Sequence, residues 1–221
     1  MKKMLLVCSI ITFLMCCSND NSWEKLNLKG RVASYTEREY DVENKFGEWV
    51  RHYEYPSSNK YIFNKNGKLI QIDSYSSNRE LNRRQVIKEE ESYLYDSDGD
   101  LEMKTINKKK SKSKGAWENF DKDGLLLQKG SYTAKRSGHI ETEQYVSLLP
   151  DGKKEEASRI IKYDKTGNVI SERYESEDFS FYRRYEYLKF DNKNNWTERL
   201  VYLSDTAEIP NNIQIREIEY F

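Results

Sequence analysis

Four stretches of this sequence carry residue types at spacings that chemistry could use. Asp96-Ser97-Asp98-Gly99-Asp100 has the carboxylate density of a calcium loop. An EF-hand loop, however, places its Gly one carboxylate later and a bidentate Glu at position twelve, which here is Asn107. A hairpin turn is the plainer reading, with adventitious calcium at the loop tip as the other. Lys108-Lys109-Lys110-Ser111-Lys112-Ser113-Lys114 puts five lysines in seven residues, a run able to meet the phosphates of an envelope polymer or a partner's acidic patch. Its plainer reading is a solvated loop that keeps a sheet end soluble, partly neutralised by Glu89-Glu90-Glu91 on the preceding strand. Tyr174, Tyr182, Tyr185, Tyr187 and Trp196 are a candidate binding surface that could stack sugars or peptide side chains, with cross-strand packing as the alternative. His52 and His139 are the only histidines, too few and too far apart in sequence for a His-based metal centre.

No nucleophile–base signature, Gly-rich phosphate loop or Gly-x-Ser-x-Gly occurs. Carboxylates are plentiful enough for a glycosidase pair, but nothing places two of them in one cleft. The chain is therefore read as non-enzymatic, with no catalytic residue, metal site or cofactor assigned.

The elements that would position these residues are written by one motif. An aromatic, an Asn or Asp, two turn residues, Gly, a variable residue and an apolar one recur at Phe63–Leu69, Tyr95–Leu101, Phe120–Leu126 and Tyr163–Val169. Phe190–Trp196 is a copy in which Asn194 replaces the Gly, and a degraded copy lies at Leu148–Lys154. Asp or Asn caps the N–H groups of a type I turn, and the fourth position needs a left-handed backbone that Gly or Asn tolerates. The turn glycines are thus Gly67, Gly99, Gly124, Gly152 and Gly167, with Asn194 as their equivalent, and Gly152 is expected to be the most tolerant of substitution. In the three-residue hairpin with a bulge, each aromatic faces the apolar residue at the far end of its copy.

Hairpin follows hairpin, so the fold expected is all-β: antiparallel hairpin repeats in a long, twisted or curved meander sheet, from single-layer to open barrel-like. Leu26 to Tyr40 alternates as a long first strand, Phe46-Gly47-Glu48 reads as a turn, and Pro56-Ser57-Ser58-Asn59 reads as a second. Asn107 to Gly115 and Ala134 to Gly138 are taken as loops, and Ile213 to Phe221 as a closing edge strand whose charges discourage association. Lys plus Arg equals Asp plus Glu at 37 each, so no global field attracts nucleic acid. Charged residues at 33% alongside aromatics at 13% point to wide solvated surfaces on an ordered structure.

Met1-Lys2-Lys3 and the apolar run Met4 to Met15 have the make-up of a secretory signal, too short to span a bilayer comfortably. The run ends Leu14-Met15-Cys16-Cys17-Ser18, which resembles the lipobox of bacterial lipoproteins. The resemblance implies a signal peptide over 1–16 and lipidation at Cys17, the other reading being an ordinary cleaved signal. All three cysteines then lie in or at the edge of the leader, so the mature chain has no disulfide and no thiolate site. Residues 17–25 read as the lipidated Cys and a polar tether, and 26–221 as a single repeat domain. Ser18-Asn19-Asp20-Asn21-Ser22 resembles in part the surface-export signal of lipoproteins from the Bacteroides group.

Tyr163-Asp164-Lys165-Thr166-Gly167-Asn168 resembles the YD repeat of Rhs-type proteins. With Leu28-Lys29-Gly30-Arg31-Val32, Asn194-Asn195-Trp196-Thr197-Glu198-Arg199 and Arg216-Glu217-Ile218-Glu219-Tyr220, the chain looks like Rhs-repeat-like lipoproteins of the Bacteroides group over most of 28–221. Large Rhs proteins enclose a toxin in a shell of such hairpins, and about six units are too few for that. The resulting expectation is a lipid-anchored lipoprotein of the cell envelope and outer membrane, on its periplasmic or surface face. It would be a non-catalytic binding or scaffold module for a glycan, an envelope polymer or a protein partner, with no nucleic-acid partner. The alternatives are an immunity or antitoxin-like protein and a glycan-active enzyme.

Overall fold

The computed structural model describes residues 21–52, 56–111 and 113–221. The leader, Cys17 and Ser18-Asn19-Asp20 lie outside the described residues, as do 53–55 and Lys112. One helical turn, α1 (Ser22–Lys25), precedes the strands β1 (Val32–Lys45), β2 (Glu48–Arg51), β3 (Ser58–Phe63), β4 (Leu69–Tyr75) and β5 (Leu81–Lys88). Next come β6 (Glu91–Tyr95), β7 (Leu101–Ser111), β8 (Lys114–Asp121), β9 (Leu126–Ser137) and β10 (Ile140–Leu148). The chain ends through β11 (Lys154–Tyr163), β12 (Val169–Ser176), β13 (Ser180–Phe190), β14 (Trp196–Tyr202) and β15 (Asn212–Tyr220).

From β3 to β15 each strand pairs with the next, and β1 pairs with both β3 and β15, from Val32↔Tyr220 to Asp41↔Asn212. The meander therefore closes into a 14-strand barrel, with β2 as an extra strand on the far end of β1. Closure overturns the expectation of an edge at β15: both of its sides are paired, which removes the exposed row of N–H and C=O groups altogether. The first strand begins at Val32 rather than Leu26, because residues 22–31 fold across one end of the barrel instead. Folded structure accordingly starts ahead of residue 26. Two anticipated loops are strand: β7 and β8 pair as far as Ser111↔Lys114, and β9 continues to Ser137. Ser58 and Asn59 open β3 rather than forming a turn.

The repeat is visible in the backbone. Phe63↔Leu69, Tyr95↔Leu101, Phe120↔Leu126, Tyr163↔Val169 and Phe190↔Trp196 are cross-strand partners. Gly67, Gly99, Gly124, Gly152 and Gly167 have φ between 79° and 89°, and Asn194 has 65°. Asp96 Oδ1 accepts the Asp98 and Asp100 N–H groups at 3.0 and 2.9 Å, so this carboxylate holds a turn. The copy at Gly152 has lost the cap, with Leu149 in its place. It keeps the turn all the same, Gly152 N donating to Leu149 O at 3.0 Å.

Antiparallel connections alternate between the barrel's ends. Counting strands places Gly67, Gly167 and Asn194 at one end, here the floor, and Gly99, Gly124 and Gly152 at the other, the rim. Trp23, Leu26 and Leu28 of the leading segment pack at the floor against Val32, Tyr35, Phe63, Leu69 and Ile72. At the rim Leu200, Tyr202 and Ile213 are covered by Tyr40, Val42 and Trp49 of the β1–β2 hairpin and by Ala207.

Candidate functional site

Eight strands make a barrel that side chains can fill, and 16 to 18 leave a water channel. Fourteen lie between, so aliphatic residues alone cannot pack the inside and the inner wall has to be large and polar. Alternation supplies this: Gln128, Gly130 and Tyr132 of β9 face inward while Lys129, Ser131 and Thr133 face out, and the other strands follow.

The inner wall from β10 round to β1 is one network. Arg159 lies 2.6 Å from Glu172 and 3.5 Å from Glu143, on the strands either side of it. The Tyr145 hydroxyl donates to Glu143 at 2.6 Å and that of Tyr185 to Glu172 at 2.5 Å. Further round, Arg199 donates to Gln214 at 2.7 Å, and Gln214 donates to Glu39 at 2.5 Å. Arg183 lies 3.9 Å from Glu39, and Arg216 2.9 Å from Glu37. Two guanidiniums lie over the Trp196 ring, Arg199 4.1 Å and Arg216 3.7 Å from its centroid.

These contacts set the protonation of the acids. Burial pushes the Glu172 carboxyl up, but Arg159 and the Tyr185 hydroxyl outweigh it, and the pKa falls below the ordinary value. Glu37 is lowered in the same way, burial being outweighed by Arg216 and Arg199. At Glu143 burial wins over Arg159 and the carboxyl sits above its ordinary value. Burial, then Glu143, raises the Tyr145 phenol, so it stays a donor. Each of these acids is matched by an arginine or a tyrosine.

The aromatic surface anticipated from the sequence is divided by this closure. Tyr174, Tyr185 and Trp196 are buried in the inner wall, and Tyr187 is half-buried there, donating to Val169 O at 2.8 Å. Tyr182 points outward, under the Arg173 guanidinium. A flat sheet would have shown all five on a face; a ring turns one of its faces inward. Of the lysine run, Lys108 pairs outward with Glu118 at 3.0 Å, and Glu91, expected to help neutralise the run, takes Lys104 at 2.8 Å. His52 and His139 are both exposed, on separate connections. Among the described residues, no cluster of three or more His, Cys, Asp or Glu is placed to hold a metal.

Sequence reasoning missed the floor. Asn21 caps α1, Ser22 N donates to Gly67 O at 2.9 Å, and Trp23 Nε1 donates to Val32 O at 3.0 Å. Asn27 donates to Asn168 Oδ1 at 2.8 Å. Asn195 accepts from Lys29 N at 2.6 Å and donates to Lys29 O at 2.9 Å, clasping that residue across the barrel end. A signal was available. The variable position after the turn residue is Asn only in the Asn168 and Asn195 copies, and both lie at the floor against this segment.

The outer wall is charged nearly all the way round, with ion pairs at Arg38–Glu217 (2.8 Å), Lys104–Glu91, Lys108–Glu118, Lys154–Glu156 (2.5 Å) and Lys189–Glu198 (2.7 Å). A lipid-facing barrel needs an apolar band about 25 Å tall, in which each midplane Lys or Arg costs about 2–4 kcal/mol. Here exposed apolar side chains such as Leu127, Val146, Ile160 and Ile170 stand among exposed charges such as Lys129, Glu156, Lys162 and Arg173. Beside β1 and β3 the wall carries a cleft of about 610 Å³, lined by Arg38, Arg51, Lys60 and Arg79 together with Tyr40, Tyr75, Thr36 and Ser58. Glu217 is the acid of its lining.

No family model matches the chain. No curated protein matches it either. Among solved structures, the crystal structure of a porin-like protein from Bacteroides uniformis ATCC 8492 is similar at 11% identity, over 86% of this chain and 98% of that one, with a TM-score of 0.46.

Proposed function

We propose that this chain is a lipid-anchored envelope protein whose barrel stands in water beside the membrane and binds, without catalysis, a glycan or envelope polymer bearing acidic groups. The observation that carries the reading is the outer cleft, where Arg38, Arg51, Lys60 and Arg79 line one surface with two tyrosines. These four cations stand against Glu217, 2.8 Å from Arg38, and Glu219, 3.6 Å from Lys60. Pockets of about 300–1,000 Å³ suit small ligands, and guanidinium groups with ring faces suit carboxylated or phosphorylated sugars. The charged outer wall and the lipobox at Cys17 support a barrel held to the membrane by its N-terminus. Kinship with Rhs-type YD-repeat lipoproteins belongs to the same proposal and rests on the hairpin motif.

The test is calorimetric titration of the protein with acidic and neutral oligosaccharides of matched length. Acidic chains should bind, and Arg38→Gln with Lys60→Gln should weaken them at least tenfold while the fold, read by circular dichroism, is kept. Equal binding of acidic and neutral chains, or indifference to the double substitution, would overturn the assignment.

A further inference from the structure

Although the chain carries equal numbers of basic and acidic residues, the barrel separates them along its axis. At the floor the leading segment and the first turn expose Lys25, Lys29, Arg31, Lys65 and Lys68. Strand ends there add the exposed side chains of Lys110, Lys114, Arg136, Lys162 and Lys189. Fewer acids answer them at this end: Glu24 on α1, Glu89 and Glu90 in the β5–β6 turn and Glu219 near the end of β15 are exposed, Asp164 and Asp191 cap the two other turns, and Glu198 pairs with Lys189. The rim is the reverse. Its turns carry Asp96, Asp98 and Asp100, then Asp121, Asp123 and Asp151, against Lys122, Lys153 and Lys154, while its longer connections expose Glu177, Asp178, Asp205 and Glu208.

The chain's own route says which end meets a membrane. Asn21, the first described residue, lies on the Gly67 turn at the floor, where Ser22 N bonds Gly67 O. Cys17 is four residues earlier, a reach of about 14 Å at full extension. Such a tether lets a barrel lie on its side or stand on its floor, and the charge decides between the two.

We infer that the floor is a docking face for an anionic phospholipid surface, so that the barrel stands upright on the membrane with its acidic rim directed away. This rests on Cys17 being the anchor. An acyl anchor beside a basic face is the two-signal arrangement that makes membrane attachment stable. Near an anionic surface each Lys or Arg strengthens attraction by about fivefold, an effect confined to roughly a Debye length of 8–10 Å, which the short tether satisfies. The rim, repelled by the same surface, adds to the preference.

The experiment uses the acylated protein in vesicles of phosphatidylcholine with or without phosphatidylglycerol. Because the mature chain holds no other thiol, a fluorophore can be placed singly through Lys65→Cys at the floor or Asp98→Cys at the rim. A headgroup-borne quencher then reports proximity. On anionic vesicles the floor label should be quenched at least fivefold more than the rim label, and the difference should shrink in neutral vesicles and at 1 M salt. Reversing charge with Lys25→Glu, Lys29→Glu and Lys68→Glu should abolish it. Equal quenching at both ends of the barrel on anionic vesicles overturns the inference. So does a floor preference that ignores lipid charge, which would be the tether acting alone. If intact-mass analysis finds Cys17 without acyl groups, the anchor reading fails by itself, and the quenching comparison on anionic vesicles still decides the face.

Discussion

Replacing Gly67 and Gly99 by Ala separates the hairpin from the floor, because the two residues share a backbone and differ in what lies above it. Their φ values are 79° and 89°, so each Ala pays the left-handed penalty of about 1–2 kcal/mol. A Cβ at Gly99 meets nothing within 4 Å. One at Gly67 would overlap the Asn21 side chain and stand 2.6 Å from the Trp23 ring. Overpacking of this kind costs about 1–3 kcal/mol more. For a domain of this size that excess is a further fall in Tm of roughly 2–12 °C. Urea unfolding followed by far-UV circular dichroism measures the difference, and tryptophan quenching in the native state reports whether Trp23 has been displaced. If the floor lifts rather than strains, the loss of stability is smaller but Trp23 becomes accessible, so either outcome singles out Gly67. Equal stability losses with Trp23 still shielded would refute the floor as a packed element. Gly152→Ala should match Gly99→Ala, since its φ is 85° and its surroundings are equally open, whatever the degraded sequence around it suggests.

Three other expectations follow from the inner wall and the leader. Arg159→Met should cost about 3–5 kcal/mol in chemical denaturation at pH 7, because Glu143 and Glu172 are left buried without their cation; a loss under 1 kcal/mol would mean the acids find water. Glu172 titrates below the unfolded value of about 4.3, so its contribution is full above that pH and lost as pH falls through the folded pKa. Glu172→Gln should therefore destabilise at pH 7 and approach wild type as pH falls through the folded pKa. Glu143 titrates above its unfolded value, so what it contributes is present only below about pH 4.3 and is lost as pH rises through the folded pKa. Glu143→Gln should be neutral or stabilising at pH 7, and parallel pH profiles for the two variants would contradict the assignment. Cys17→Ala should leave unprocessed or soluble protein; a variant still processed and sedimenting with the outer membrane would remove Cys17 as the anchor.

Local rules reached the sequence and long-range ones did not. The hairpin repeat was legible because each turn is decided within seven residues, by a cap, a left-handed position and a facing pair, and Phe63↔Leu69 or Tyr163↔Val169 could be counted off directly. The pairing of β1 with β15 joins residues such as Tyr35 and Ile218 that no local signal connects. Without it a meander is a curved sheet with two edges; with it, one face becomes an interior. Period-two alternation groups Tyr185 with Tyr187 and Arg183 but does not say whether that group faces water or the inside, so the aromatic surface could be listed and not placed. For the same reason nothing local says that Arg159, Arg199 and Arg216 face inward. Their burial depends on ring closure, and only then do Glu37, Glu143 and Glu172 become their necessary partners.

The separation of charge has a different cause. Composition sums over the whole chain and returns zero, while the polarity depends on how many strands lie between one turn and the next. An even number of strands returns the chain to the same end and an odd number carries it across. The count from Gly67 to Gly99 is three strands, β4 to β6, and from Gly99 to Gly167 five, β7 to β11. Gly67 and Gly167 therefore share the floor, and Asp96-Ser97-Asp98-Gly99-Asp100 sits at the rim. A stretch that suggests a calcium loop when taken alone becomes one segment of a largely acidic end, opposite the one where Asn21 lies. Asp96 caps the turn, accepting from Asp98 N and Asp100 N, and in the inferred orientation the other carboxylates face away from the membrane.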